Sequence, residues 1–210
     1  MRKLSIFLLS GLLLCLFAAC RAIREIPPSD AAAAHYRTDH CEVGDIILRD
    51  GTVLKPEALT SIISHNPPVA VAAILQEDGT AVGVGVHISD RCLPWAMSTA
   101  DGHSTAFSFA DDYAETYETV GGWRMPDIEE LSAIYANRDA VNASLRDIYE
   151  LDSNAAVDGL GTNWYWASTP SDTEDGFAWF VHYFNGYAAC CPTDLDNLHA
   201  MAVRDFAEAG

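Results

Sequence analysis

The chain has 210 residues, half of them hydrophobic, with 30 acidic against 12 basic side chains and a formal net charge of −18. That balance excludes electrostatic capture of nucleic acid or of an anionic membrane surface, both of which need clustered Lys and Arg. The length suits one domain with a sizeable core better than two small ones.

Arg2 and Lys3 form a charged start, Leu4 to Phe17 an apolar stretch, and Ala18-Ala19 a small-residue cleavage site followed at once by Cys20. The apolar run is too short for a bilayer core about 30 Å thick. Leu16-Phe17-Ala18-Ala19-Cys20 resembles a bacterial lipobox, with Phe17 where Leu is usual. The expectation is export, cleavage before Cys20 and acylation of the Cys20 thiol, with more than one acyl chain for stable anchoring. Residues 1–19 are then a leader and 20–43 a lipidated tether, which contains Pro27-Pro28 and a run of alanines ending at Ala34 and has no apolar period. A domain over 44–210 follows. Losing Arg2 and Lys3 with the leader deepens the charge to about −20.

Cys15 leaves with the leader, Cys41 and Cys92 can pair in an oxidising compartment, and the adjacent Cys190 and Cys191 would strain to bridge each other. No Cys-x-x-Cys spacing or Cys/His cluster occurs, so neither a metal nor a cofactor is expected.

Along the domain, Gly44 to Leu48 reads as a strand entering a tight turn at Asp50-Gly51. Pro56 to Ile63 suits a short helix with proline in its first turn. Val69 to Leu75 and Ala81 to Ile88 are β-rich runs split by Asp78-Gly79, a hairpin signal. Gly83 and Gly85 alternate with valines, so one strand face lacks side chains and something must pack closely there. Residues 106–117 can form a helix presenting Phe107, Phe109, Tyr113 and Tyr117. A further helix starts after Pro126, with Asp127 and Glu130 in capping-box spacing and Ile128, Leu131, Ile134 and Tyr135 on one face. A helical segment over about 139–150 carries Val141, Leu145 and Ile148. Asn163 to Ser168, Phe177 to Phe184 and Ala200 to Phe206 read as strands. Between Trp179 and Val203 the surface is less regular, and within 182–199 no period is legible.

The ordered series Gly122-Trp123-Arg124-Met125-Pro126-Asp127-Ile128-Glu129-Glu130-Leu131, Tyr165-Trp166-Ala167-Ser168-Thr169, Ala178-Trp179-Phe180-Val181, Asn185-Gly186 and Val203-Arg204 is similar to the bacterial domain family at the C-terminus of the Legionella collagen-like adhesin. That family has a C-type lectin fold related to the formylglycine-generating enzyme. With its lipoprotein leader the chain also resembles the surface lipoproteins varied by a diversity-generating retroelement. The resemblance covers about residues 44–206. It implies an α+β, C-type lectin-like fold of mixed or antiparallel strands with two or more helices, with Trp123, Trp166 and Trp179 as core. It further implies a monomeric lipoprotein on the outer membrane, facing the exterior, that binds an external protein or glycan through a C-terminal face at about 163–200.

The candidate contact residues are His182 and Phe184 at two-residue spacing, Tyr187, Cys190, Cys191, Asp194, Leu195, Asn197 and His199, with Tyr165 joining from a neighbouring strand. In such retroelement systems, adenine randomisation at Asn codons ending in a pyrimidine never yields Glu, Lys, Gln, Met or Trp. Residues 182–200 hold none of these, but neither do 131–149, so this pattern carries little weight.

Two alternatives stand beside a binding role. An oxidase like the formylglycine-generating enzyme would use Cys190 and Cys191, but its cysteines are separated, and here no Lys or Arg lies between Arg146 and Arg204 to activate a thiol. A calcium-dependent carbohydrate module would draw on the acids of 152–158 and 172–175, which do not follow an EF-hand register. A binding protein rather than an enzyme is the favoured reading.

Overall fold

A computed structural model describes residues 41–59, 65–77, 80–96 and 104–206. The leader, Cys20, most of the tether and the Asp78-Gly79 turn lie outside the described residues. Within them the chain is α+β with antiparallel sheets. In order come β1 (Ile46–Leu48), β2 (Val53–Leu54), a 3-10 turn (Pro56–Ala58), β3 (Pro68–Leu75), β4 (Ala81–Ile88), α1 (Ala106–Asp111), α2 (Tyr113–Thr116), α3 (Ile128–Ala136), α4 (Arg138–Leu151), β5 (Trp164–Pro170), β6 (Phe177–His182), β7 (Tyr187–Pro192) and β8 (Met201–Phe206). One sheet has the order β2-β1-β3-β4-β8 and a smaller one the order β5-β6-β7.

The large sheet is apolar on both faces, and the two-residue period of its strands sorts its side chains into two cores. Ile46, Leu48, Val71, Val82, Val84 and Val203 meet Leu131 and Ile134 of α3 and Val141, Leu145 and Ile148 of α4. On the other face Ala70, Ala72 and Ala81 meet Ala106 and Ala110 of α1, Tyr113 of α2, Trp123 and Phe206. The residues on this second face are small, and the reason is geometric. A Cβ on Gly83 would lie 2.8 Å from the Phe206 ring and one on Gly85 would overlap the Tyr113 hydroxyl. That hydroxyl accepts from the His87 N–H at 3.0 Å, so Tyr113 is held flat against the glycine track. The close packing expected from Gly83 and Gly85 is therefore that of Phe206 on the first and of Tyr113 from α2 on the second.

The helix after Pro126 follows its sequence signals. Asp127 Oδ1 accepts from the Glu130 N–H at 2.8 Å and Glu130 Oε2 from the Asp127 N–H at 2.9 Å, a reciprocal capping box. Arg124 then donates to both Glu130 oxygens at 2.6 Å and to Asp205 of β8 at 3.2 Å, tying the helix entrance to the large sheet. The helix of 138–151 also forms where its period placed it.

Other expectations are corrected. The helix over 106–117 is two short helices meeting at Asp112, because Thr105 caps the first and Tyr113 turns inward onto Gly85. The helix from Pro56 is a 3-10 turn of three residues as far as Ala58; residues 60–63 lie outside the described residues. Trp123 and Trp166 are buried, but Trp179 is only half-buried against the first core.

Two predictions follow from this packing. Gly85→Ala should destabilise the fold by about 1–3 kcal/mol, as overpacking does, read by denaturant unfolding; an unchanged midpoint would mean that Tyr113 is not seated there. The second concerns acid. Burial alone would raise the Glu130 carboxyl, but hydrogen bonds from Arg124 and from the Asp127 N–H outweigh it and hold it below the usual range. The folded value lies below the unfolded one of about 4.3, so its stabilisation is complete above that pH and fades as pH falls through the folded value. Glu130→Gln should therefore flatten the loss of stability between about pH 5 and pH 3, measured as thermal midpoints across that range.

Candidate functional site

The small sheet carries the candidate site. Trp164 pairs with His182, and His182 with Tyr187, so one row across β5, β6 and β7 puts three ring side chains on the same face. Trp164 lies parallel over Phe180 with centroids 5.1 Å apart and meets His182 edge-on at 5.1 Å. The His182 ring in turn lies 5.9 Å from that of Phe184. Phe184 is 71% exposed, Tyr187 62% and Trp164 39%, which makes this a continuous solvent-facing aromatic row. Phe180 beneath it is buried among residues of the second core.

The turn that presents Phe184 is fixed from below. The Asn185 and Gly186 N–H groups donate to the His182 carbonyl at 3.2 and 2.8 Å, and the Tyr187 N–H donates to Asn185 Oδ1 at 3.1 Å. Between them Tyr183 points inward, fully buried, and donates its hydroxyl to the Leu131 carbonyl of α3 at 2.9 Å. Gly186 has φ +73°, and a Cβ there would overlap the Tyr135 ring. The hairpin tip thus rests on α3 through Tyr183 and Tyr135, while Phe184 is left outside.

Residues 193–199 pass from the end of β7 to the far edge of β5. Asp194, Leu195 and Asn197 are exposed; Leu198 is buried and bridges Leu93. His199 is half-buried, and its backbone bonds on both sides of Tyr165, donating to the Trp164 carbonyl and accepting from the Trp166 N–H. Its Nδ1 lies 2.8 Å from the Ser89 carbonyl. A carbonyl only accepts, so Nδ1 carries the proton and the ring is oriented by the large sheet.

The site residues expected from the sequence divide accordingly. His182, Phe184 and Tyr187 come together, and Asp194, Leu195 and Asn197 lie exposed on the following segment. Tyr165 does not join them: it is wholly buried in the first core, with its hydroxyl donating to the Leu160 carbonyl. The solvent-exposed segment without period expected over 182–199 contains strand β7, Tyr187–Pro192, whose residues are mostly half-buried and show no alternation. Asn185-Gly186 between two runs is the signal that could have revealed this hairpin.

Cys190 and Cys191 are accordingly half-buried neighbours on a strand rather than exposed loop thiols, and successive strand residues point to opposite faces. Cys191 packs against the second core, and burial first, then the neighbouring Cys190, pushes its thiol up to about 11. That favours the protonated thiol over the nucleophilic thiolate at neutral pH. Trp164 was missed by the sequence reading, although its place two residues before Trp166 puts it on the same strand face. Among the described residues no group of three or more His, Cys, Asp or Glu side chains could hold a metal ion, and no helix is long and apolar enough to cross a membrane.

Residues 87–204, more than half of the chain, match the Lcl C-terminal domain, and the chain belongs to that family. The matched span runs from the end of β4 to β8 and includes the whole small sheet. Among solved structures the chain is similar to a fimbrial protein from Bacteroides ovatus, at a TM-score of 0.50 and 11% identity. The match covers 79% of this chain and 48% of that one, so the chain spans about half the length of its structural neighbour. Likeness at that identity speaks to the fold alone. None of the curated proteins matches the chain.

Tyr183→Phe should cost about 1–2 kcal/mol, because it removes one buried partner of the Leu131 carbonyl, whereas Phe184→Ala beside it should stay within about 0.5 kcal/mol. Urea unfolding of the two variants side by side checks the contrast; equal costs would mean the hairpin is not anchored through Tyr183.

Proposed function

We propose that the chain is an adhesin-like surface protein that binds an external protein or glycan through the aromatic row Trp164, His182, Phe184 and Tyr187, extended by Asp194, Leu195 and Asn197. The observation that carries this reading is the exposed row on a hairpin anchored from inside. Large exposed aromatics are costly to leave in water and are the side chains that dominate recognition surfaces. They also lose little conformational entropy on binding. Membership of the Lcl C-terminal domain family supports the same reading. The formylglycine-generating reading is disfavoured because the adjacent thiols point to opposite faces and Cys191 is held protonated.

The finer reading is a lipoprotein of the Treponema variable protein A kind. It has a C-type lectin-like fold, is held to the outer membrane by acyl chains on Cys20, faces the exterior as a monomer, and has a C-terminal face diversified by a retroelement. Its support is the leader sequence and the motif order. A reverse-transcriptase gene beside a near-copy of the coding segment for 163–206, differing at adenines, would establish the retroelement part; its absence from the neighbouring DNA would remove it.

Two measurements test the rest. Cys20→Ser should abolish lipid labelling and membrane fractionation; a variant that stays membrane-bound in high salt overturns the anchor. The triple variant Trp164→Ala, Phe184→Ala, Tyr187→Ala should keep a cooperative thermal transition and lose binding to whichever protein or glycan an extracellular array identifies for the full chain. Each central aromatic contact is worth about 2 kcal/mol or more in such surfaces. A triple variant that binds unchanged places the recognition surface elsewhere, and one that unfolds makes the row part of the core.

A further inference from the structure

The exposed apolar surface of the chain collects on the small sheet and the segment that follows it. Seven large hydrophobic side chains are exposed among the described residues; Trp164, Phe184, Tyr187 and Leu195 are four of them, and Phe184 and Tyr187 are the two most exposed. The charge and the ring geometry around this row decide what chemistry it would take.

Between Arg146 and Arg204 the sequence has nine acids and no Lys or Arg, and the whole small sheet lies inside that stretch. One of these acids is carried to the row. The His199 N–H donates to the Trp164 carbonyl at 2.8 Å, and His199 pairs with Tyr165 in the parallel sense. The residues just before His199 therefore lie toward the end of β5 that bears Trp164. Leu198 packs in the same core as Phe180, which puts this segment on the face of the sheet that carries the row. Asp196, exposed and three residues before His199, is held within about 11 Å of chain of that backbone contact. Among the described residues no Lys or Arg forms an ion pair with it. Arg138, the cation beneath the hairpin, is engaged on the other side, stacked over Tyr135 at 4.3 Å against the first core.

The rings of the row do not share a plane. Trp164 is parallel to Phe180, which covers one of its faces; it meets His182 at 61°, and His182 is tilted 31° from Phe184. A sugar chain needs a flat platform of coplanar rings to lie along, and an anionic glycan is also opposed by the charge. Ring faces turned in different directions suit separate cations instead. A guanidinium or ammonium group takes a single ring face, and a carboxylate nearby strengthens its hold.

We infer that the partner of the aromatic row is a basic polypeptide segment, whose Arg or Lys side chains lie over Trp164, Phe184 and Tyr187 and pair with Asp196. This rests on the binding role proposed above and adds the partner's chemistry to it. Such complementarity sets the association rate and the choice of partner.

The test is calorimetric titration of the full chain with an alternating Arg-Gly decapeptide, with an alternating Glu-Gly decapeptide and cellohexaose as comparators. Salt of about 0.15 M screens charges more than about 8 Å away. The Arg-Gly peptide should bind and the comparators should not. The triple variant Trp164→Ala, Phe184→Ala, Tyr187→Ala has the same charge as the parent, yet should bind the peptide roughly tenfold or more weaker. Asp196→Lys should weaken it about fivefold, whereas Asp147→Lys, the same charge change on α4, should alter it less than about twofold. The two lysine variants decide the matter if the triple variant does not fold. No binding of the Arg-Gly peptide, undiminished binding by a folded triple variant, or equal losses from the two lysine variants overturns the inference. Binding of cellohexaose that the triple variant loses overturns it as well, but leaves the binding role of the row standing; that role falls only if the triple variant keeps the partner found on the array.

Discussion

The stretch from Leu198 to Phe206 is hydrogen-bonded to both sheets, and the arrangement of everything else rests on it. His199 pairs with β5 of the small sheet, Met201–Phe206 pair with β4 of the large one, and Val203 exchanges hydrogen bonds with Arg124 at the entrance to α3. One extended segment therefore fixes the small sheet relative to the large sheet and to the helix under the hairpin tip. An error of one residue in its register would exchange Met201 and Val203 with Ala202 between the two cores.

That shared segment lets the fold separate its packed interior from the exposed end of the small sheet. Inward residues of the small sheet, Tyr165, Val181 and Tyr183 on one side and Trp166, Ala178 and Phe180 on the other, join both cores and make them continuous with the large sheet. The remaining side chains at its open end, Phe184 and Tyr187 above all, contribute little to either core. A side chain at these positions can change without opening a cavity, which is the physical requirement for a surface that varies or adapts.

Much of the scaffold was legible because its signals are local. Asp127 and Glu130 announce a capping box within four residues, and the glycines of β4 announce close neighbours, although only the structure names them as Phe206 and Tyr113. Strand β7 was illegible because an edge strand of Tyr, Ala and Cys, half-buried along most of its length, has no alternation to read. Tyr165 and Trp164 exchanged roles for a related reason. Alternation tells which residues share a face but not which face is covered, and the small sheet is covered on both sides at one end only.

The separation of scaffold and surface is tested most directly by saturation mutagenesis of residues 163–200 in a displayed library, scored for protease resistance at every position. The account predicts that His182, Phe184, Tyr187, Asp194, Leu195 and Asn197 accept most side chains, while Tyr165, Trp166, Tyr183, Gly186, Leu198 and Ala200 accept few. Uniform tolerance across the segment, or intolerance concentrated at Phe184 and Tyr187, would contradict it.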